Sequence, residues 1–303
     1  MPSFISRKFR RRRNPSHKGE RALPYLLVAP TIAVLVALSI YPLIYAVKVS
    51  LQTDSASGTR WTFQNFTRLF GDDFFLSALS HTLVYAVIAL TIEFLLGLGL
   101  AVLLNRKMRG RSFFRAALLV PMMLPTVVVG VVWRLMLNPN FGAINGTLQG
   151  FGANTESLTW TASPTLAFAS VIMVDIWQWT PFMFLILLAG LQAIPEEPYE
   201  AALIDGSTPW QTFRHVTLPL LKPAILIALL LRTMDLLRVF DQIFILTEGG
   251  PGSATETISL YIYRTAFRFG DFGYAAAMSF VLLILTNIIS LAYIRLLQRQ
   301  EAT

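Results

Sequence analysis

The feature that most constrains this chain is the grouping of its apolar residues into long runs with little or no charge. Residues 22–47, between Arg21 and Lys48, contain no charged side chain. A helix of about 20 such residues crosses a hydrocarbon core about 30 Å thick. The run is too long for the core of a signal peptide, and no small-residue cleavage motif follows it. We therefore interpret it as a retained membrane span.

Five further runs predict five more spans, at about residues 73–106, 116–137, 165–191, 223–247 and 271–295. The composition agrees, because 54% of the residues are hydrophobic and 14% are charged, against about 25% charged in soluble domains. The expected fold is an all-α polytopic membrane protein with six transmembrane helices. It comprises a basic tail, residues 1–21, and a membrane domain, residues 22–298. Prolines such as Pro121 and Pro125 are expected to kink the spans.

The net charge of +8 is distributed unevenly along the chain. Lysine and arginine concentrate in the tail 1–21, in the loop 106–115 after the second span, and near the C-terminus. Because cytoplasmic loops carry such an excess, both termini are predicted to be cytoplasmic. The tail could also contact anionic lipid.

Several classes of chemistry are excluded by missing residues. The chain has no cysteine, and His17, His81 and His215 lie far apart in the sequence, so thiolate zinc sites, disulfides and cysteine nucleophiles are excluded. No GxxxxGK[ST] phosphate loop is present. We therefore expect a non-enzymatic chain without a cofactor or metal of its own; any ATP and Mg²⁺ would be bound by a partner.

The predicted cytoplasmic loop 192–222 departs from the charge pattern, because it carries four acids, Glu196, Glu197, Glu200 and Asp205. A first short helix is expected from about Glu196, where acids favour the helix N-terminus, to Gly206 as a C-terminal cap. Ala201 and Ala202 would leave a face that another surface can approach closely. The alternative is a solvated connector.

A second short helix is expected after Gly206, with Ser207 as its N-cap and Pro209 in its first turn. Leu218-Pro219 would end this helix and lead back to the membrane. The spacing within the loop is Glu-Ala-Ala, three residues, Gly, nine residues, an aliphatic residue, any residue, then Leu-Pro. The positions are Glu200, Ala201, Ala202, Gly206, Val216, Leu218 and Pro219.

This spacing resembles the loop of binding-protein-dependent ABC importer permeases that holds the coupling helices. The resemblance implies a type I importer fold in the inner membrane of a bacterial cell. It also implies that Glu200 to Gly206, including Asp205, dock on a cytoplasmic ATPase and transmit its closure to the spans. The segments Val239–Gly252 and Phe272–Ala277 are similar to the carbohydrate branch of the family, of the maltose, trehalose and glycerol-phosphate type.

The fifth predicted span holds four charges of alternating sign at three-residue spacing, at Arg232, Asp235, Arg238 and Asp241. Residues at i and i+3 are neighbours on a helix, so each acid is expected to lie next to a base. Intramembrane charges usually face a bundle interior or an aqueous path. These four either neutralise one another and lock the span, or line a path for a hydroxyl-rich substrate.

Two acids lie inside other spans: Glu93 in the second, and Asp175 beside Trp177 in the fourth. Such residues often form helix-to-helix hydrogen bonds, and direct contact of Asp175 and Trp177 with substrate is the alternative.

The sequence thus predicts a permease subunit that forms half of the path of an ATP-driven sugar importer, with a disaccharide or related glycoside favoured over glycerol phosphate or an oligosaccharide. Its expected partners are a second homologous permease, two ATPase subunits and an extracellular sugar-binding protein, with no nucleic acid. The alternatives are an ion-coupled secondary carrier, for which no convincing internal repeat is visible, and a channel, for which no selectivity filter is evident.

Overall fold

The computed structural model describes residues 17–55, 58–106, 108–155 and 157–301. Residues 1–16 of the basic tail and Lys107 of the second basic loop lie outside this range. The chain divides into two compact units, Met1–Val49 and Ser50–Thr303. The first is described by a single helix, α1 (His17–Ser50), whose segment Leu27–Ser50 is long and apolar enough to cross a membrane.

The second unit begins with a short antiparallel hairpin, β1 (Gln52–Ser55) and β2 (Gly58–Trp61). Asn65 holds this hairpin, because its amide donates to the carbonyl oxygens of Ser50 (2.9 Å) and Gln52 (3.0 Å). The helices of the unit are α2 (Gln64–Arg68), α3 (Asp73–Asn105), α4 (Arg111–Met123), α5 (Thr126–Met136), α6 (Ala143–Gly150), α7 (Pro164–Ala193), α8 (Glu197–Ile204), α9 (Pro209–Thr212), α10 (Leu218–Leu236), α11 (Asp241–Leu246), α12 (Ile258–Phe267) and α13 (Phe272–Glu301).

Within the described residues, five continuous helical segments are long and apolar enough to span a membrane, and α4 with α5 forms a sixth if this bent pair is counted as one span. The two helices meet at 94°, and the break at Leu124–Pro125 confirms the predicted kink. Pro125 takes the N-cap position of α5, because proline fixes its own φ and disfavours helical backbone at the residue before it.

Glycines let the central spans approach closely. A Cβ at Gly97 of α3 would lie 2.6 Å from the Cβ of Met183 on α7, and one at Gly190 of α7 would lie 2.5 Å from the Cβ of Ala224 on α10. Small residues at helix contacts are typical of membrane bundles, where association depends on close packing rather than on expelling water. The spans α3, α7 and α10 therefore form one tightly packed group.

The fifth span was predicted at Pro223–Thr247, and these bounds are wrong. The helix α10 ends at Leu236, and the separate short helix α11 follows after a break. Helix interruptions inside a membrane are tolerated when other groups satisfy the freed backbone. Here Thr257 donates its hydroxyl to the carbonyl of Val239 (3.2 Å), and Arg134 of α5 donates to the carbonyl of Ile245 (3.1 Å).

A polar cluster ties together the ends of α3, α12 and α13 on the side opposite the loop 192–222. Asp72 caps α3 by accepting from the N–H groups of Phe74 and Phe75 (3.0 and 3.2 Å), and it also accepts from the hydroxyls of Tyr261 (2.7 Å) and Tyr274 (2.6 Å). Burial, the largest influence, raises the pKa of Asp72, but these hydrogen bonds together hold that pKa below its ordinary value.

Candidate functional site

The centre of the helix bundle holds a buried ion cluster. Arg232 of α10 donates from Nε to Glu93 Oε2 (2.7 Å) and from Nη2 to Glu93 Oε1 (2.9 Å), and Nη2 also donates to Asp175 Oδ2 of α7. All three residues are at most 2% exposed. A bidentate guanidinium–carboxylate pair is among the strongest hydrogen-bonded arrangements. One arginine thus joins α3, α7 and α10.

A fourth helix enters the same cluster through Gln242 of α11. With its amide oriented to match its neighbours, Gln242 donates to Asp175 Oδ1 (3.0 Å) and accepts from the N–H of Asp175 (2.9 Å). The guanidinium of Arg232 also lies over the ring of Trp179, 5.1 Å from its centroid. The short helix α11 is therefore attached to the bundle by polar contacts as well as by packing.

The charge pairing differs from the i, i+3 pattern expected from the sequence. Asp235 and Arg238 do form such a pair, at 3.8 Å and with both side chains about half exposed. Arg232 instead pairs with acids of two other spans. Asp241 lies beyond the break after α10, so helical spacing does not apply to it, and it forms no ion pair within the described part of the chain. The helix-to-helix role expected for Glu93 and Asp175 is present.

A cavity of about 400 Å³ opens beside the buried cluster. Five of the six residues proposed for the path from the sequence line it: Asp175, Arg232, Asp235, Arg238 and Asp241. The sixth, Trp177, lies outside this cavity and packs edge-on against Trp133, with ring centroids 5.4 Å apart.

Sequence reasoning did not single out Thr126, Trp179, Phe240 and Gln242, which also line the cavity. Trp179 could have been found, because it follows Asp175 by four residues and therefore shares its face of the helix. Thr126 and Gln242 carry no comparable signal, since each belongs to a separate helix next to a break.

The cavity combines carboxylates, guanidinium groups, an amide and two aromatic rings. Carboxylates accept hydrogen bonds from hydroxyl groups, and guanidinium groups donate them. The faces of Trp179 and Phe240 supply flat apolar surface of the kind that packs on a ring. The lining therefore offers hydrogen-bonding groups and flat apolar faces to a small molecule.

The loop 192–222 forms the two predicted short helices, α8 and α9. Gly206 follows α8 with φ +71°, a conformation that favours glycine. The N-cap of α9 is Thr208 and not Ser207, because Thr208 Oγ1 and Gln211 form a reciprocal capping box. Leu218-Pro219 does not end this helix: residues Phe213–Thr217 make a π-helical turn that runs directly into α10. Pro219 therefore lies inside a continuous helical segment, immediately after this π-helical turn.

Large apolar side chains are exposed on this loop beside its charged residues. Leu203 and Ile204 of α8 are 77% and 86% exposed, and Trp210 of α9 is 66% exposed. Ala201 is exposed, but Ala202 is buried, so the expectation that both alanines lie on one open face is wrong. Successive residues on a helix are about 100° apart, which turns Ala202 towards the bundle.

Comparison with known proteins identifies the family. Residues 93–301 match the model of the binding-protein-dependent transport system inner membrane component. The trehalose/maltose transport system permease protein MalF of Thermococcus litoralis is 38% identical over 279 residues, covering 91% of this chain and 94% of the relative. The trehalose transport system permease protein SugA of Mycobacterium tuberculosis is 35% identical over 289 residues, covering 94% and 91%.

The fold also matches a solved structure, the crystal structure of a bacterial ABC transporter involved in the import of the acidic polysaccharide alginate. The TM-score is 0.82 at 24% identity, covering 93% of this chain and 98% of that chain. This match shows a shared fold, and the family model and the two curated relatives favour an importer permease over an ion-coupled carrier. The chain belongs to the binding-protein-dependent transport system inner membrane components and is a permease subunit of an ABC importer.

Proposed function

We propose that this permease subunit forms half of the path for a neutral sugar, with a disaccharide or a related glycoside as the favoured substrate. The cavity beside Arg232 carries this proposal, because its volume of about 400 Å³ is in the range of small-molecule sites. The curated relatives include trehalose/maltose, trehalose and lactose transport system permeases, which supports a substrate of the size of a disaccharide.

The charges of the cavity favour hydroxyl groups over an anionic substrate. Arg232 is already engaged by two carboxylates, and Arg238 lies beside Asp235. Asp241 adds a further acid to the lining. Sugar hydroxyls can donate to Asp235 and Asp241, whereas a carboxylate or sulfonate would face uncompensated negative charge.

The partners are inferred from the family and from the surfaces of this chain. We infer a second homologous permease for the other half of the path, an extracellular sugar-binding protein, and two cytoplasmic ATPase subunits that hold ATP and Mg²⁺. One solved relative, a bacterial alginate ABC transporter, is in complex with its pentasaccharide-bound periplasmic protein. We infer that both termini lie in the cytoplasm, on the side of the ATPases.

The coupling site is proposed at Glu200, Ala201, Ala202, Asp205 and Gly206, with Leu218 and Pro219 at the start of α10. Exposed Leu203 and Ile204 next to these positions form an apolar surface that an ATPase could cover. The continuous helix from Pro209 to Leu236 would transmit a displacement of α9 to Arg232 as a rigid-body movement.

The path assignment is tested by removing the exposed charge pair without changing the net charge. The double variant Asp235→Asn/Arg238→Gln should lower sugar uptake at least about tenfold in vesicles that contain the complete importer, with assembly and ATPase attachment unchanged. Trp177→Phe, which lies outside the cavity, is the matched control and should transport normally. If the double variant fails only in assembly, the pair has a structural role and the path assignment is wrong.

The coupling assignment is tested at Gly206, where a side chain is strained by the positive φ but meets nothing within 4 Å. Gly206→Val together with Glu200→Ala should abolish ATP-driven uptake while the sugar still binds to the extracellular binding protein. Gly146→Ala, another position with open space, is the control. Normal uptake with unchanged ATPase attachment would contradict the proposed dock.

A further inference from the structure

The turn between α3 and α4 carries exposed cations without acidic partners. No aspartate or glutamate occurs in the sequence between Glu93 and Glu156. Arg109 and Arg111 are exposed, and neither forms an ion pair among the residues that the structure describes. Two unpaired guanidinium groups within three residues make a local concentration of positive charge that attracts an anion.

The backbone of this turn is held in place by its neighbours. Arg115 of α4 donates from Nη2 to the carbonyl of Leu104 (2.7 Å), one of the last carbonyls of α3. Gly110 occupies the N-cap of α4 with φ +78° and offers no capping side chain. The positive end of the α4 dipole therefore adds to the charge of Arg109 and Arg111.

Exposed apolar side chains lie directly beside these cations. Phe113 and Phe114 are 72% and 50% exposed, with ring centroids 5.9 Å apart, and Met108 is 41% exposed. The turn joins two membrane-spanning segments, so it lies at the level where the chain leaves the hydrocarbon. Orientation in the membrane requires the cations but not an exposed aromatic pair.

We propose that Met108, Arg109, Arg111, Phe113 and Phe114 form a binding site for an anionic phospholipid. The two arginines contact the phosphate-bearing headgroup, and the phenylalanine rings pack on the upper part of the acyl chains. Cations next to aromatic side chains match the boundary between headgroup and hydrocarbon. An acidic surface of a protein partner would satisfy the charge but would leave the two rings without an apolar contact.

The test measures how phosphatidylglycerol stabilises the purified importer in detergent against heat, with phosphatidylcholine and inorganic phosphate as separate titrants. Phosphatidylglycerol should raise the unfolding temperature of the native importer in a saturable manner. The variant Arg109→Gln/Arg111→Gln should weaken the apparent affinity about fivefold per arginine. The matched control, Arg268→Gln/Arg295→Gln, removes two exposed cations elsewhere and should behave like the native chain.

A second variant separates lipid binding from simple charge attraction. Phe113→Ser/Phe114→Ser keeps every cation and should still weaken the phosphatidylglycerol effect by several-fold. The proposal is overturned if the control variant loses the effect equally, if inorganic phosphate stabilises as strongly as the lipid, or if the phenylalanine variant responds normally. It is also overturned if Arg109→Gln/Arg111→Gln instead releases the ATPase subunits in the absence of added lipid.

Discussion

The strongest prediction from the buried ion cluster concerns the contribution of Arg232 to stability. Replacing Arg232 with methionine removes the guanidinium from two carboxylates whose side chains are at most 2% exposed. Breaking a buried ion pair by deleting one partner costs about 3–5 kcal/mol, because an uncompensated charge is left in a low-dielectric interior. We expect a loss of this size in the free energy of unfolding, measured by denaturant titration in mixed micelles with circular dichroism as the signal.

A matched control lies just beyond the C-terminal end of α10. Arg238→Met removes an arginine whose side chain is 57% exposed and whose nearest acid is 3.8 Å away, so its cost should stay below about 1 kcal/mol. Comparing the two variants separates the loss of a buried charge partner from the general effect of removing an arginine from this part of the chain.

A compensating variant tests directly whether the uncompensated buried charge causes the loss of stability. In the triple variant Arg232→Met/Glu93→Met/Asp175→Asn no buried charge remains, so most of the lost stability should return. Asp175→Asn keeps an acceptor for the amide of Gln242. The reasoning is refuted if Arg232→Met costs no more than Arg238→Met, or if the triple variant is less stable than Arg232→Met alone.

Three further predictions concern packing, pH and backbone conformation. Gly97→Ala should destabilise the bundle by about 1–3 kcal/mol in the same titration, because its Cβ would lie 2.6 Å from the Cβ of Met183. The pKa of Asp72 is lowered in the folded state, so this carboxylate adds stability above its unfolded-state pKa of about 3.9. That stability is lost as the pH falls through the folded-state pKa. Asp72→Asn should therefore reduce the pH dependence of the free energy of unfolding between pH 5 and 3. Gly206→Ala should cost about 1 kcal/mol through its positive φ alone.

Each of these has its own control. Gly99→Ala, on the same helix with nothing within 4 Å, should be neutral or slightly stabilising, and an equal loss at both glycines would contradict the packing argument. An unchanged acid-unfolding midpoint in Asp72→Asn would show that the tyrosine hydroxyls contribute nothing through this carboxylate. Gly206→Asn should be tolerated better than Gly206→Ala, because asparagine adopts positive φ more readily.

The spans and the two short helices of the loop 192–222 could be predicted because their signals are local. A hydrocarbon environment forces the backbone to satisfy its own hydrogen bonds, so any sufficiently long apolar run becomes a helix whatever its neighbours are. The short helices α8 and α9 follow from acids, glycine and proline at fixed positions. The N-cap of α9 was predicted one residue too early, at Ser207, because the capping box forms at Thr208.

Only the tertiary structure decided which charges meet and where the fifth span breaks. The partners of Arg232 lie 139 and 57 residues away along the chain, beyond the reach of any helical spacing. The break after Leu236 is tolerated because Thr257, from a distant segment, donates to the carbonyl of Val239 within it. Sequence by itself determined how much of the chain must be helical in a membrane; the contacts between helices determined which polar groups are buried as structure and which face the cavity.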